Sequence, residues 1–149
     1  MGIRFYILIL ISSNLFNPLR CISEEFVKEL ERNKTEAIQL VFDQLIEDGK
    51  LETNCSYILC DYPHLEGLKI KFPSNYKIER YSHIAYFLHK KDGNIIRVTS
   101  FQFKDETNIE VVLEIKSECQ SDLCIIRLER SEGKWKIKEK FYNGCPVFR

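Results

Sequence analysis

Between Ile109 and Tyr142 apolar and polar residues alternate through three consecutive segments, and this period of two limits the fold more than any other feature. Ile109, Val111, Leu113 and Ile115 point to one side, with Glu110, Glu114 and Lys116 on the other. Cys124, Ile126 and Leu128 continue the apolar side, opposed by Arg127 and Glu129. After Glu132-Gly133, the alternation predicts Trp135, Ile137 and Phe141 inward and Lys134, Lys136, Lys138 and Lys140 in water. One wet face and one apolar face describe a half-buried antiparallel sheet, because successive strand side chains point to opposite sides. The rest of the chain must pair with that sheet or cover it.

A cover is present upstream. From Glu24 to Asp48, Phe26, Leu30, Ala37, Leu40, Val41, Leu45 and Ile38 recur at three- and four-residue steps, which predicts an amphipathic helix. Glu24 and Glu25 suit its positive N-terminal end, and Gly49 is placed to stop it. Asn33-Lys34-Thr35 is a candidate break, with Thr35 or Asn33 capping a second helix. Leu51 to Pro73 reads as loop with a short element near Leu65 to Ile70. Tyr76 to Lys90 reads as a long strand interrupted at Arg80 and Ser82, turning at Asp92-Gly93 into Ile95 to Lys104. Carrying parity through the turns sets Leu88 opposite Arg97, Ile84 opposite Phe101, Phe101 opposite Val111, Leu128 opposite Ile137 and Ile126 opposite Glu139. The expected architecture is α+β, one N-terminal helix packed on a curved antiparallel meander.

The first 23 residues stand apart from that fold. Arg4 precedes the apolar run Phe5 to Ile11, Asn14 to Pro18 follow, and Cys21 and Ser23 are small enough to flank a cut. That is the pattern of a secretory signal peptide cleaved after Ser23, leaving residues 24–149 as a single, secreted domain with no membrane segment of its own. Two sequons agree with secretion, at Asn33 and Asn54. Cleavage removes Cys21 and leaves Cys55, Cys60, Cys119, Cys124 and Cys145. In an oxidising compartment such residues pair. Cys119 and Cys124 bracket a hairpin loop and are expected to bridge if directly opposed; Cys55 or Cys60 is expected to bridge to Cys145.

The chemistry-bearing residues are few. Lys+Arg and Asp+Glu both total 22, a net charge of zero that argues against nucleic acid as a partner. No Cys-x-x-Cys or cysteine–histidine spacing holds a metal, and no cofactor motif is present. By parity Glu139, Arg97 and Arg80 share the inward face with Trp135, and together they outline a pocket for a small polar or anionic ligand. Within such a pocket Glu139 would be the one candidate for acid/base catalysis; at the rim, or after a slip of register, it would only be a solvated carboxylate. Arg97 has a second reading, an ion pair with Asp43 or Glu47 of the helix. His83 and His89 are six residues apart on one strand, roughly 20 Å, too far to share a metal. They read as surface residues or, with Tyr81 and Phe87, as part of a sheet face for a homodimer. His64 reads as loop decoration.

The layout from Glu24 to Phe148, with its closing Gly133-Lys134-Trp135-Lys136-Ile137 strand, resembles the NTF2-like (SnoaL-like, cystatin-like) fold, in the form of small secreted domains common in nematodes. That resemblance implies a bent sheet forming a cone filled by the helix, and a noncatalytic binding module. The Asp–His and Asp–Tyr–Arg sets of the family's enzymes have no counterpart position by position. A cystatin-like inhibitor is the other relation considered, but its Gln-x-Val-x-Gly hairpin and Pro-Trp loop are missing; Gln102-Phe103-Lys104-Asp105 stands at the first. A lipocalin would need an early Gly-x-Trp and about eight strands, and shows neither. Secreted from eukaryotic cells, the protein is expected to begin at Glu24 in N-terminal sequencing; a retained Met1 would overturn both the compartment and the disulfides.

Overall fold

The computed structural model describes residues 3–61, 63–82, 94–116 and 121–143, with side chains from residue 24 onward. Among the described residues helix α1 (Ile3–Glu47) is followed by six strands: β1 (Ser56–Cys60), β2 (Lys77–Tyr81), β3 (Asn94–Phe103), β4 (Asn108–Lys116), β5 (Ser121–Ser131) and β6 (Lys134–Asn143). The chain divides into two compact units, Met1–Lys34 and Thr35–Arg149. The helix passes through Asn33-Lys34-Thr35 without interruption, so the break expected there is absent. In the first unit Phe26, Val27 and Leu30 are exposed.

In the second unit the buried stripe is Ala37, Ile38, Val41, Phe42 and Leu45, at the one- and four-residue steps of a helix face. It packs into one core with the inward side chains of the sheet, a two-layer α+β arrangement. Gly49 ends the helix as expected. Its φ of 66° lies in the left-handed region, Lys50 N donates to Leu45 O at 2.8 Å and Gly49 N to Ile46 O at 3.1 Å. These paired bonds form the Schellman closure, satisfying carbonyls that a helix end leaves open.

The six-stranded sheet has the order β2-β1-β3-β4-β5-β6. β3 to β6 form the antiparallel meander, while β1 runs parallel to both β2 and β3. The sheet is thus mixed rather than wholly antiparallel. β1 was hidden within the segment read as loop: five residues show too few repeats of a period. Yet Tyr57 and Leu59 are buried in alternation, as a strand between two others requires. The crossover from β1 to β2 is held by Arg80, which donates to Asp61 Oδ1 (2.8 Å), Leu68 O (2.6 Å) and Leu65 O (2.9 Å). Arg80 therefore organises a loop and opens onto no pocket with the other predicted residues.

Two pairings expected from turn lengths are present, Phe101 with Val111 and Leu128 with Ile137. Two register shifts change what lies beyond them. In β3, Val98 faces Leu113 and Ser100 faces Val112, leaving Thr99 as the extra residue, its hydroxyl donating to Val112 O at 3.1 Å. In β6, Ile137 faces Leu128 and Glu139 faces Arg127, leaving Lys138 extra. Each bulge reverses the parity of its strand. Ile96 and Val98 are consequently buried and Arg97 exposed, between Cys60 and Glu114; Leu88, its expected partner, lies outside the described residues. Lys140 and Tyr142 turn to the helix side, and Glu139 and Phe141 to the outer face; Ile126 faces Lys140 instead of Glu139. The parity is testable on adjacent residues. Ile126→Ala, at a site with no exposed surface, is expected to cost about 2–5 kcal/mol in urea unfolding, and Ile125→Ala on the outer face well under half as much.

Candidate functional site

The four residues expected to share a pocket are dispersed. Glu139 lies on the outer face, bonded to Arg127 Nη1 at 2.8 Å, and Arg97 on the same face bonds Glu114 at 2.9 Å rather than Asp43 or Glu47. Arg80 stands at the β2 edge of the sheet. Trp135 alone remains inward, 8% exposed. Around Glu139 the outer face carries a chain of ion pairs: Lys104–Glu110 (3.0 Å), Glu110–Arg127 (2.9 Å) and Arg127–Glu139 (2.8 Å), running from the turn after β3 across β4, β5 and β6. Hydrogen bonds from Arg127 and then Lys104 hold the Glu110 carboxyl below its ordinary value. A depression of about 490 Å³ beside this ladder is lined by charges already engaged in ion pairs or hydrogen bonds. The inward placement that would make Glu139 an acid or base is therefore removed.

The larger groove, about 750 Å³, opens on the helix side and falls in the range of ligand sites. Helix α1 supplies one wall through Thr35, Glu36, Gln39, Leu40 and Asp43. The crossover segment supplies Lys69, Lys71, Phe72 and Pro73, and the β5–β6 hairpin supplies Lys134 and Trp135. The Gln39 side-chain amide braces the first two walls: it donates to Lys71 O and accepts from Lys71 N, both at 2.8 Å. Phe72 then packs edge-on against Phe42, ring centres 5.1 Å apart. The hairpin wall is set by a two-residue turn in which Glu132 and Gly133 both have positive φ, 55° and 77°. Trp135 follows at once, with Arg130 stacked over its ring at 5.8 Å. Its indole N–H is buried with no acceptor among the described residues, although a buried donor ordinarily has one.

A second cluster fastens the helix end to β6. Asp48 accepts hydrogen bonds from Lys140 Nζ (2.9 Å), Gln44 Nε2 (3.0 Å) and, at very short range, the Tyr142 hydroxyl. A carboxylate at a helix C-terminus opposes the macrodipole, and these donors offset that repulsion. Burial disfavours the Asp48 anion, but the bonds from Tyr142, Lys140 and Gln44 outweigh it and hold its carboxyl below the usual value. Burial, then the bond to Asp48, raises the Tyr142 phenol. Cys124, opposite Tyr142 in the register, is a fully buried thiol that burial pushes up to about 11. A phenol and a thiol shifted this way stay neutral, so the cluster acts as a fastening.

Among the described residues no disulfide is present. Cys119 and Cys145, needed for both expected bridges, lie outside the described residues, as do His83, His89, Ile84 and Leu88. Cys124 pairs with Leu113 of β4 and with Tyr142 of β6. The two sequons differ in access, Asn33 being 9% exposed and Asn54 exposed in the turn before β1. His64 is half-buried after Pro63. No group of metal-binding side chains occurs among the described residues, and no described helix is long and apolar enough to cross a membrane.

No family model, curated protein or solved structure gives a significant match to this chain. The Asp48 fastening has a pH consequence. Its folded pKa is depressed, so its stabilisation is present above the ordinary aspartate value of about 4 and is lost as pH falls through the folded value. Asp48→Asn is expected to flatten the acid limb of the stability curve. Tyr142→Phe is expected to cost about 1.5–3 kcal/mol at neutral pH in urea unfolding.

Proposed function

We propose that this chain is a secreted, noncatalytic binding domain of NTF2-like type, cleaved after Ser23, glycosylated at Asn54, and carrying its ligand in the groove between α1, the crossover segment and Trp135. The single observation that carries the reading is the indole N–H of Trp135 in a wall of that groove, buried and without an acceptor among the described residues. A ligand bearing an acceptor completes it after a small shift of the wall, while Leu40, Phe72 and Pro73 receive an apolar body. One helix on a largely antiparallel sheet, closing on the Gly133-Lys134-Trp135 strand, supports the NTF2-like assignment and the cone it implies. The exposure of Asn54 against the burial of Asn33 supports a single glycan. The engagement of Glu139 by Arg127 favours binding over catalysis. A protein partner or a second copy on the outer face is the other reading, supported there by Phe141 and Leu123, 50% and 37% exposed.

Trp135 is the sole tryptophan, so its emission reports the groove directly. Titration of the full secreted protein with N-phenyl-1-naphthylamine is expected to quench Trp135 saturably, with sensitised emission from the bound probe. Leu40→Gln should weaken that binding about tenfold, the equivalent of 1.4 kcal/mol. Native mass spectrometry of the same sample reads the glycan, any retained ligand and the oligomeric state. No quenching and no retained ligand would sink the groove reading, and a dimer lost on Phe141→Lys would favour the outer face.

A further inference from the structure

Five charges line the groove, and among the described residues none of them is ion-paired: Glu36 and Asp43 on the helix wall, and Lys69, Lys71 and Lys134 on the other two. The outer face handles its charges differently, engaging Lys104, Glu110, Arg127 and Glu139 with one another at 2.8–3.0 Å. Among the described residues Asp43 receives only the neutral Gln39 amide, at 3.0 Å, and Gln39 is fixed in turn by its two bonds to the Lys71 backbone. The walls are thus braced at one point, with acidic groups on the helix side and basic groups on the crossover and hairpin sides. Leu40, Phe72, Pro73 and Trp135 supply apolar surface in the same groove. Glu36 and Asp43, seven residues apart on the helix, stand roughly 10 Å apart along its axis. A four-residue extended segment spans roughly 13 Å, enough to run past both.

Resting on the binding reading above, we propose that the ligand is a short peptide segment bearing a basic and an acidic side chain on either side of apolar ones. Its cationic group meets Glu36 and Asp43, its carboxylate meets Lys69, Lys71 and Lys134, and a backbone carbonyl offers an acceptor to the Trp135 indole N–H. A purely anionic ligand would leave the helix carboxylates facing its charge, and a purely cationic one the lysines, so only a partner carrying both signs complements every wall.

The test is a Trp135 fluorescence titration of the full secreted protein with four acetylated, amidated tetrapeptides. Each has a central pair of phenylalanines, flanked by lysine and glutamate, by two lysines, by two glutamates or by two glutamines. The lysine–glutamate peptide is expected to bind at least several-fold more tightly than the other three. Its advantage should shrink as salt rises to about 0.5 M, because exposed charges are screened. Glu36→Gln with Asp43→Asn, and separately Lys69→Gln with Lys71→Gln, should each weaken it about 3- to 10-fold; all four positions are exposed, and circular dichroism checks the fold. Equal affinity for the glutamine peptide would overturn charge selection and leave groove binding intact. A tighter glutamate–glutamate peptide would replace the proposal with a simple anion site. If naphthylamine binds and no peptide does, the peptide class falls and the groove stands; if neither binds, both fall.

Discussion

The helix stripe from Ala37 to Leu45 is covered only if the strands beneath it keep apolar side chains on one face along their length. A strict alternation would fail at two places. Parity carried back from Phe101 would drive the Arg97 guanidinium into the core, where an unpaired charge is expensive. The bulge at Thr99 puts Ile96 and Val98 there instead. Parity carried on from Ile137 would bury Glu139, and the bulge at Lys138 turns it outward to Arg127. The same turn brings Lys140 and Tyr142 to the helix side, where Asp48 accepts hydrogen bonds from both. A single backbone irregularity thus sets the outer ion ladder and the fastening of the helix end.

That fastening and the groove lie on the same helix and sheet and serve opposite ends. At Asp48, a carboxylate, an ammonium, a phenol and an amide satisfy one another. In the groove, charged groups of both signs line the walls without engaging one another, and an indole donor has no acceptor among the described residues. Folded chains pair nearly all their buried polar groups. A place where pairing is withheld, beside exposed apolar walls and a volume suited to a ligand, is where an external partner has most to offer.

The gain from a partner there is moderate by construction. Lys69, Lys71 and Lys134 are solvent-exposed, so each ionic contact is screened and contributes on the order of 1 kcal/mol or less. The apolar walls and the indole N–H carry the larger share, and the charges decide orientation and choice of partner. A binding module with this division of labour discriminates among ligands more than it holds any one of them tightly.

Much of this was open to reading in the residues alone. Burial on one face of β4 and β5 follows the alternation from Ile109 to Leu128, because a period of two on a one-sided sheet has a single solution. Gly49 as helix stop and Glu132-Gly133 as hairpin turn follow from local backbone preference. The short central strand β1, its parallel pairing and the bulges at Thr99 and Lys138 depend on contacts between residues distant in sequence. A bulge leaves no mark in composition, yet it reverses every later side chain in its strand. Arg97 and Glu139 accordingly moved to the outer face, while Gln39, Lys71 and Phe72, which carry no local motif, were gathered at the groove. Local sequence determined the helix, the strands of the β3–β6 meander and which face of β4 and β5 is apolar; tertiary packing alone decided which charges lie beside Trp135, because strand order and register are set by the whole core at once.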